Sequence, residues 1–245
     1  MREDSPLERV IAPVRRLVRR LSAQPQLWNL FRRILEGNFH EERRVIGEEL
    51  MPDARRIRKE EQRPPRVLDL GCGTGELAPA FLSRGFDYVG VDIEPERIEY
   101  ARRTYPKGRF HVMDAGALQY PDGYFDQILV TGVLHHLSDE EVRRIVREMR
   151  RVLRPDGRAL VMEDIALRGS LNLLGALVHL ADEGSHIRRP KQYAPLFEPE
   201  LDLRATYPVR CGVCDYQAFV LEPAAIAADL TSAQPESTAG RAGII

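Results

Sequence analysis

The chain has 245 residues, 43% of them hydrophobic and 30% charged, with a formal net charge of −1. That is enough apolar material for a buried core and a charged surface around it, and it argues against a global nucleic-acid-binding field. Cys72, Cys211 and Cys214 are too few for a disulfide framework. No apolar run reaches the ~20 residues of a bilayer span, and the charged start from Arg2 lacks a signal-peptide core, so a soluble, cytoplasmic protein is expected.

Leu7, Val10, Ile11, Val14, Leu17, Val18 and Leu21 recur at helical spacing, with Arg9, Arg15, Arg16, Arg19 and Arg20 between them. A second pattern runs through Leu27, Trp28, Leu30, Phe31, Ile34 and Leu35 to Gly37, and a third helix is predicted over about residues 40–58. KEEQRPPR then reads as a linker. Residues 1–65 carry 15 Arg or Lys against 11 Asp or Glu. From Arg66 the texture changes: VLDL, YVGVD, RFHVM, FDQILV and RALVMED read as strands, alternating with helices such as PERIEYARRTY and DEEVRRIVREMRRVL. Such alternation indicates βαβ units and a parallel sheet. After Asp164 it breaks for about 35 residues, before LRATYPVR and DYQAFVLE form a strand pair with CGVC at the turn. The Ala, Ser, Thr and Pro-rich tail is expected to be loose.

In VLDLGCGTGEL, Gly71, Gly73 and Gly75 stand where a strand turns into a helix. Residues without side chains let the backbone approach a ligand and offer N–H groups at a helix start. Alone, such a turn leaves dinucleotide binding and other ligands open. Three acids narrow the choice: Asp69 within the first strand, Asp92 ending the second, 17 residues after Gly75, and Asp114 ending the third, 22 residues later. At the carboxyl edge of a parallel sheet, such acids suit ribose hydroxyls and an adenine amino group. As isolated residues, the same acids would serve as caps or turn formers.

With VGVDIEP, FHVMDA, FDQILVTGVLHHL and LRPDGRALVMED added, residues 66–164 resemble the class I S-adenosylmethionine-dependent methyltransferases, and within them the ubiquinone and menaquinone biosynthesis group. The resemblance implies S-adenosylmethionine as cofactor, with S-adenosylhomocysteine as product. It places Asp69, Gly71, Cys72, Gly73 and Gly75 around the methionine portion and Asp92 on the ribose. Ile93 would then pack against adenine, and Asp114 with Ala115 would bound the adenine edge. Thr131 to Val133 would line the sulfonium and methyl group.

The expected architecture is α/β: a Rossmann-like, seven-stranded, mostly parallel sheet with helices on both faces. A helical N-terminal cap or lid (1–62) precedes the cofactor-binding domain (63–222), which has a helical insertion before strand six, and a tail (223–245) follows. The expected reaction is methyl transfer to a small organic acceptor, with no nucleic-acid partner. A cofactor-binding protein that does not methylate, and an NAD-dependent oxidoreductase, stay open. Asp92 would serve NAD equally well, but the turn is GCGTG rather than GxGxxG, and TGVL stands where an NPPY-type string would indicate planar amine acceptors.

His135 and His136 follow the fourth strand and are the candidate general bases, since an imidazole titrates near neutrality. Adjacent residues point in different directions, so one of them at most should face the methyl group. His186, Arg188, Arg189, Lys191 and Tyr193 read as a solvated basic loop, with an acceptor pocket as the other possibility. The single CxxC has no second ligand pair for zinc and sits between strands, so it is read as a reduced hairpin turn and no metal is expected. The arginine-rich first helix is read as part of a lid rather than as a lipid- or nucleic-acid-binding element.

Overall fold

A computed structural model describes residues 24–165 and 186–225. The stretches predicted as the arginine-rich first helix, the first part of the insertion and most of the tail lie outside the described residues. In order, the elements are α1 (Pro25–Leu35), a 3-10 turn, α2 (His40–Glu49), α3 (Met51–Glu61), β1 (Arg66–Leu70), α4 (Ala78–Leu82), β2 (Asp87–Asp92), α5 (Pro95–Thr104) and β3 (Arg109–Val112). There follow β4 (Phe125–Thr131), a 3-10 turn at Leu134–His136, α6 (Asp139–Val152), β5 (Leu153–Asp164), α7 (Pro190–Phe197), β6 (Leu201–Cys211) and β7 (Cys214–Pro223).

The seven strands form one sheet in the order β3-β2-β1-β4-β5-β7-β6. Neighbours from β3 to β5 run parallel, and β7 runs antiparallel to both β5 and β6. The apolar runs VLDL and FDQILV become central strands because both their faces are covered. Helices α2, α3, α4 and α5 bury Val45, Ile46, Ala54, Phe81 and Ile98 on one face. Helices α6 and α7 bury Val142, Ile145, Met149, Leu196 and Phe197 on the other. The strand order reverses between β1 and β4, which places a crevice at their carboxyl ends.

The predicted helix over 40–58 is two helices. It breaks at Leu50, and Pro52 occupies the first turn of α3, where its missing N–H costs nothing. The third strand ends at Val112, so Asp114 lies beyond it rather than at its end. Before β6, the described part of the insertion is the helix α7. Cys211 and Cys214 face each other across the Gly212-Val213 turn as free thiols, the predicted hairpin. Its tip meets the end of α1, where Val213 N–H donates to the Leu35 carbonyl at 2.8 Å. Among the described residues, no helix is long and apolar enough to cross a membrane.

Candidate active site

The glycine turn is pinned from below. Gly71 and Cys72 N–H groups both donate to the Val91 carbonyl, at 2.8 and 3.0 Å. Gly71 has φ +70°, and a Cβ there would fall inside the Val133 side chain. Gly73 has φ +52°, yet a Cβ there would meet no atom within 4 Å. The turn is therefore crowded at its base and open at its crest. Cys72 packs beneath it, against Gly90, where a Cβ would come within 2.7 Å of Cys72 Sγ.

Asp92 lies at the end of β2 beside that opening. Its Oδ2 accepts from Gly73 N–H at 2.8 Å and its Oδ1 from Glu94 N–H at 3.0 Å. The turn-forming role and the position at the strand end thus coexist in one carboxylate. Ile93 next to it is 67% exposed, a large apolar side chain left at the rim of the edge. Asp69 is buried below and accepts from the Tyr88 hydroxyl at 2.6 Å. Burial pushes its carboxyl up to about 7; the Tyr88 hydrogen bond opposes this, the Asp92 charge adds to it, and Arg32 works against it. Asp114 accepts from Gly116 N–H at 2.8 Å and pairs with Arg144 at 3.0 Å, and Ala115 packs on the α6 side of the core.

Beyond β4, Thr131 Oγ1 is buried with no hydrogen-bond partner, and Val133 covers Gly71. His135 is buried, with Nδ1 2.9 Å from Glu163 Oε2. Glu163, fully buried at the end of β5, also accepts from Val133 and Leu134 N–H at 2.9 Å and from His135 N–H at 3.3 Å. One carboxylate thus fixes the whole β4–α6 loop. His136 is exposed, with its ring centroid 4.1 Å from that of His135. The loop ends in a capping box in which Ser138 N–H donates to Glu141 at 2.8 Å.

Two members of the predicted basic loop are instead structural. Arg188 is buried and donates to the Leu134 carbonyl at 2.8 Å, the Leu137 carbonyl at 2.7 Å and Asp139 at 2.7 Å. A buried guanidinium with carbonyls and a carboxylate to donate to is a strut. Tyr193 is buried too, its hydroxyl donating to the Asp164 carbonyl at 3.3 Å. His186 N–H donates to the His135 carbonyl at 2.9 Å, so the segment after the insertion braces the histidine loop. Arg189 and Lys191 are exposed, as predicted.

Sequence reading missed Glu163, Asn29, Thr74 and Glu76. Glu163 had a signal: a carboxylate in a strand covered on both faces must find donors. Asn29 joins α1 to the glycine turn, accepting from Thr74 Oγ1 at 2.6 Å and donating to Glu76 at 2.9 Å.

Strand order and the glycine turn after β1 define a Rossmann-like α/β fold. Residues 67–157 match the family model described as "Methyltransferase domain". The chain is 42% identical over 106 residues to an uncharacterized methyltransferase, YcgJ, of Bacillus subtilis, covering 41% of each chain. It is 39% identical over 109 residues to demethylmenaquinone methyltransferase of Thermus thermophilus, covering 42% of this chain and 49% of that one. The chain thus spans about two-fifths to half of the length of these curated relatives. In structure it is similar to the PH0226 protein of Pyrococcus horikoshii, with TM-score 0.55 and 24% identity, covering 78% of this chain and 95% of that one.

Proposed function

We propose that this chain is a cytoplasmic enzyme that transfers the methyl group of S-adenosylmethionine to a small organic acceptor. The observation that carries the reading is the opening at Gly73 beside Asp92 and Ile93, on a segment that matches the methyltransferase-domain family model. The cytoplasmic setting rests on the three free thiols.

The residues fit the cofactor's parts. Asp92 offers carboxylate oxygens to ribose hydroxyls, and exposed Ile93 an apolar face for the adenine. Asp114 and Ala115 bound the adenine edge. Asp69 and the glycine turn suit the methionine portion, where a buried carboxyl held near neutrality would ionise against an ammonium group. Thr131, whose buried hydroxyl has no partner, would line the methyl end together with Val133. When bound, S-adenosylmethionine supplies a methyl group already activated on a sulfonium, so the chain's task is alignment and exclusion of water.

Where the acceptor loses a proton, His135 is the base we favour over His136. Glu163 accepts from three backbone N–H groups, so the ring's Nδ1 donates to it, and in the neutral ring Nε2 would be the atom that takes the acceptor's proton. His136, exposed beside it, would contact the acceptor. The relative named as a demethylmenaquinone methyltransferase makes quinones and their phenolic hydroquinone forms the first acceptors to try.

The test is incubation with methyl-labelled S-adenosylmethionine and a panel of phenols, quinones with their hydroquinone forms, amines and thiols. Label should move to one class, and Asp92→Ala should abolish it at low cofactor concentration. Binding of S-adenosylhomocysteine without transfer to any class would favour a non-methylating protein. Binding of NAD instead would favour an oxidoreductase.

A further inference from the structure

Helix α1 meets the rest of the protein with its polarity inverted. Leu27, Leu30 and Ile34 are exposed, Ile34 to 71%, whereas Asn29 is only 4% exposed. A surface helix ordinarily buries its apolar stripe and leaves its amides in water. Trp28 and Phe31 are half-buried and stack on each other at 5.7 Å, so the specific inward contacts of this helix are polar.

The side-chain contacts converge on the glycine turn, while the Leu35 carbonyl at the end of α1 accepts from Val213 N–H of the β6–β7 hairpin. Asn29 uses both ends of its amide: Oδ1 accepts from the Thr74 hydroxyl at 2.6 Å, and Nδ2 donates to Glu76 Oε1 at 2.9 Å. One helical turn on, Arg33 Nε donates to Glu76 Oε2 at 2.8 Å. The Tyr105 hydroxyl, from the end of α5, donates to Glu76 Oε1 at 3.3 Å. Asn29, Thr74 and Glu76 are all buried.

Thr74 and Glu76 flank Gly75, and both lie just after Gly73. All three glycines of the turn have positive φ, a conformation a glycine segment enters and leaves easily. Side chains on either side of Gly75 are where such a turn can be pinned, and α1 holds both.

We propose that Asn29, with Arg33, is a positioning element for the cofactor: α1 latches the Gly71–Gly75 turn through Thr74 and Glu76, so that docking of α1 and binding at the turn favour each other. This rests on the cofactor reading above for the identity of the ligand, but not for the latch itself. Because the latch is polar and the apolar stripe faces outward, release of α1 strands few apolar contacts. The helix is therefore suited to open and close. By linkage, a ligand that orders the turn must also order α1.

The test pairs hydrogen exchange on the ligand-free protein with titration of S-adenosylhomocysteine. Asn29→Ala and Thr74→Val should speed exchange of the amides at 72–76 and along α1, while the sheet amides stay protected. Each should also weaken S-adenosylhomocysteine by about tenfold, the scale of one lost buried hydrogen bond with its partner stranded. Thr74→Ser, which keeps the hydroxyl, should behave like the wild type in both measurements. In the wild type the ligand should slow exchange in α1. Unchanged exchange at 72–76 in folded Asn29→Ala and Thr74→Val would overturn the latch. Faster exchange in a protein that never bound S-adenosylhomocysteine would instead uphold the latch and remove the cofactor reading.

Discussion

Gly71 and Gly73 share a left-handed backbone but should fail in different ways when substituted. Both have positive φ, +70° and +52°, so alanine at either carries about 1–2 kcal/mol of backbone cost. At Gly73 the cost should stop there, because an added Cβ meets no atom within 4 Å. At Gly71 the added Cβ overlaps Val133 Cγ2 and lies 3.3 Å from its Cγ1, which adds about 1–3 kcal/mol of overpacking. For a chain of this size, thermal midpoints should fall by about 2–8 °C for Gly73→Ala and distinctly more for Gly71→Ala. Ligand binding should give the reverse order of clarity. The space at Gly73 is where the cofactor would approach, so Gly73→Ala should lose at least about tenfold in affinity for S-adenosylhomocysteine, and Gly73→Val all of it. The assay is a melt followed by titration calorimetry on the folded fraction. A folded Gly73→Ala with wild-type affinity would refute the assignment of the opening to the ligand. Equal destabilisation at the two positions would refute the packing of Val133 on the turn.

Asp92→Ala should weaken S-adenosylhomocysteine by about 1–3 kcal/mol while the chain stays folded, since a charged acceptor is lost. Unchanged affinity by calorimetry would remove Asp92 from the site. Glu163→Ala leaves three N–H groups, two of them buried, and the His135 ring without their acceptor, so the chain should lose about 3 kcal/mol or more by chemical denaturation. A loss under ~1 kcal/mol would mean that the loop is held otherwise. Burial, and then the Glu36 charge, push Glu42 up to about 7. A carboxyl raised on folding favours the protonated native state, so this contribution is complete below the unfolded value near 4.5 and is lost as pH rises through about 7. Stability measured by urea titration should therefore fall from pH 5 to 8, and Glu42→Gln should flatten the slope; a slope unchanged in that variant would contradict the assignment. Asp69 is raised in the same sense, so binding of the cofactor's ammonium group should strengthen from pH 6 to 8 with proton release, visible as buffer-dependent heats.

The sheet was legible because its central strands are continuous apolar runs between turn signals, and because Cys211 and Cys214 bracket a two-residue turn. The glycines and Asp92 were legible because a short-range pattern carries their geometry: Asp92 reaches Gly73 through a strand–turn–helix repeat. What escaped depends on contacts distant in sequence. Glu163 reads as one more residue of a strand until the loop 28 residues before it is folded over its carboxylate. The α1 pattern gives an apolar stripe but not the direction it faces, and here Asn29, rather than Leu30, turns inward. Arg188 shows the same limit, since a charge run looks solvated until carbonyls from another loop surround one of its members.

The most direct measurement is calorimetric titration of the purified chain with S-adenosylhomocysteine, with NAD titrated in parallel. One-to-one binding of S-adenosylhomocysteine, lost in Gly73→Val, with no heat from NAD, is the expected result. Binding of NAD at the same site, or no binding of S-adenosylhomocysteine by the folded chain, would contradict the assignment of this sheet edge to methyl transfer.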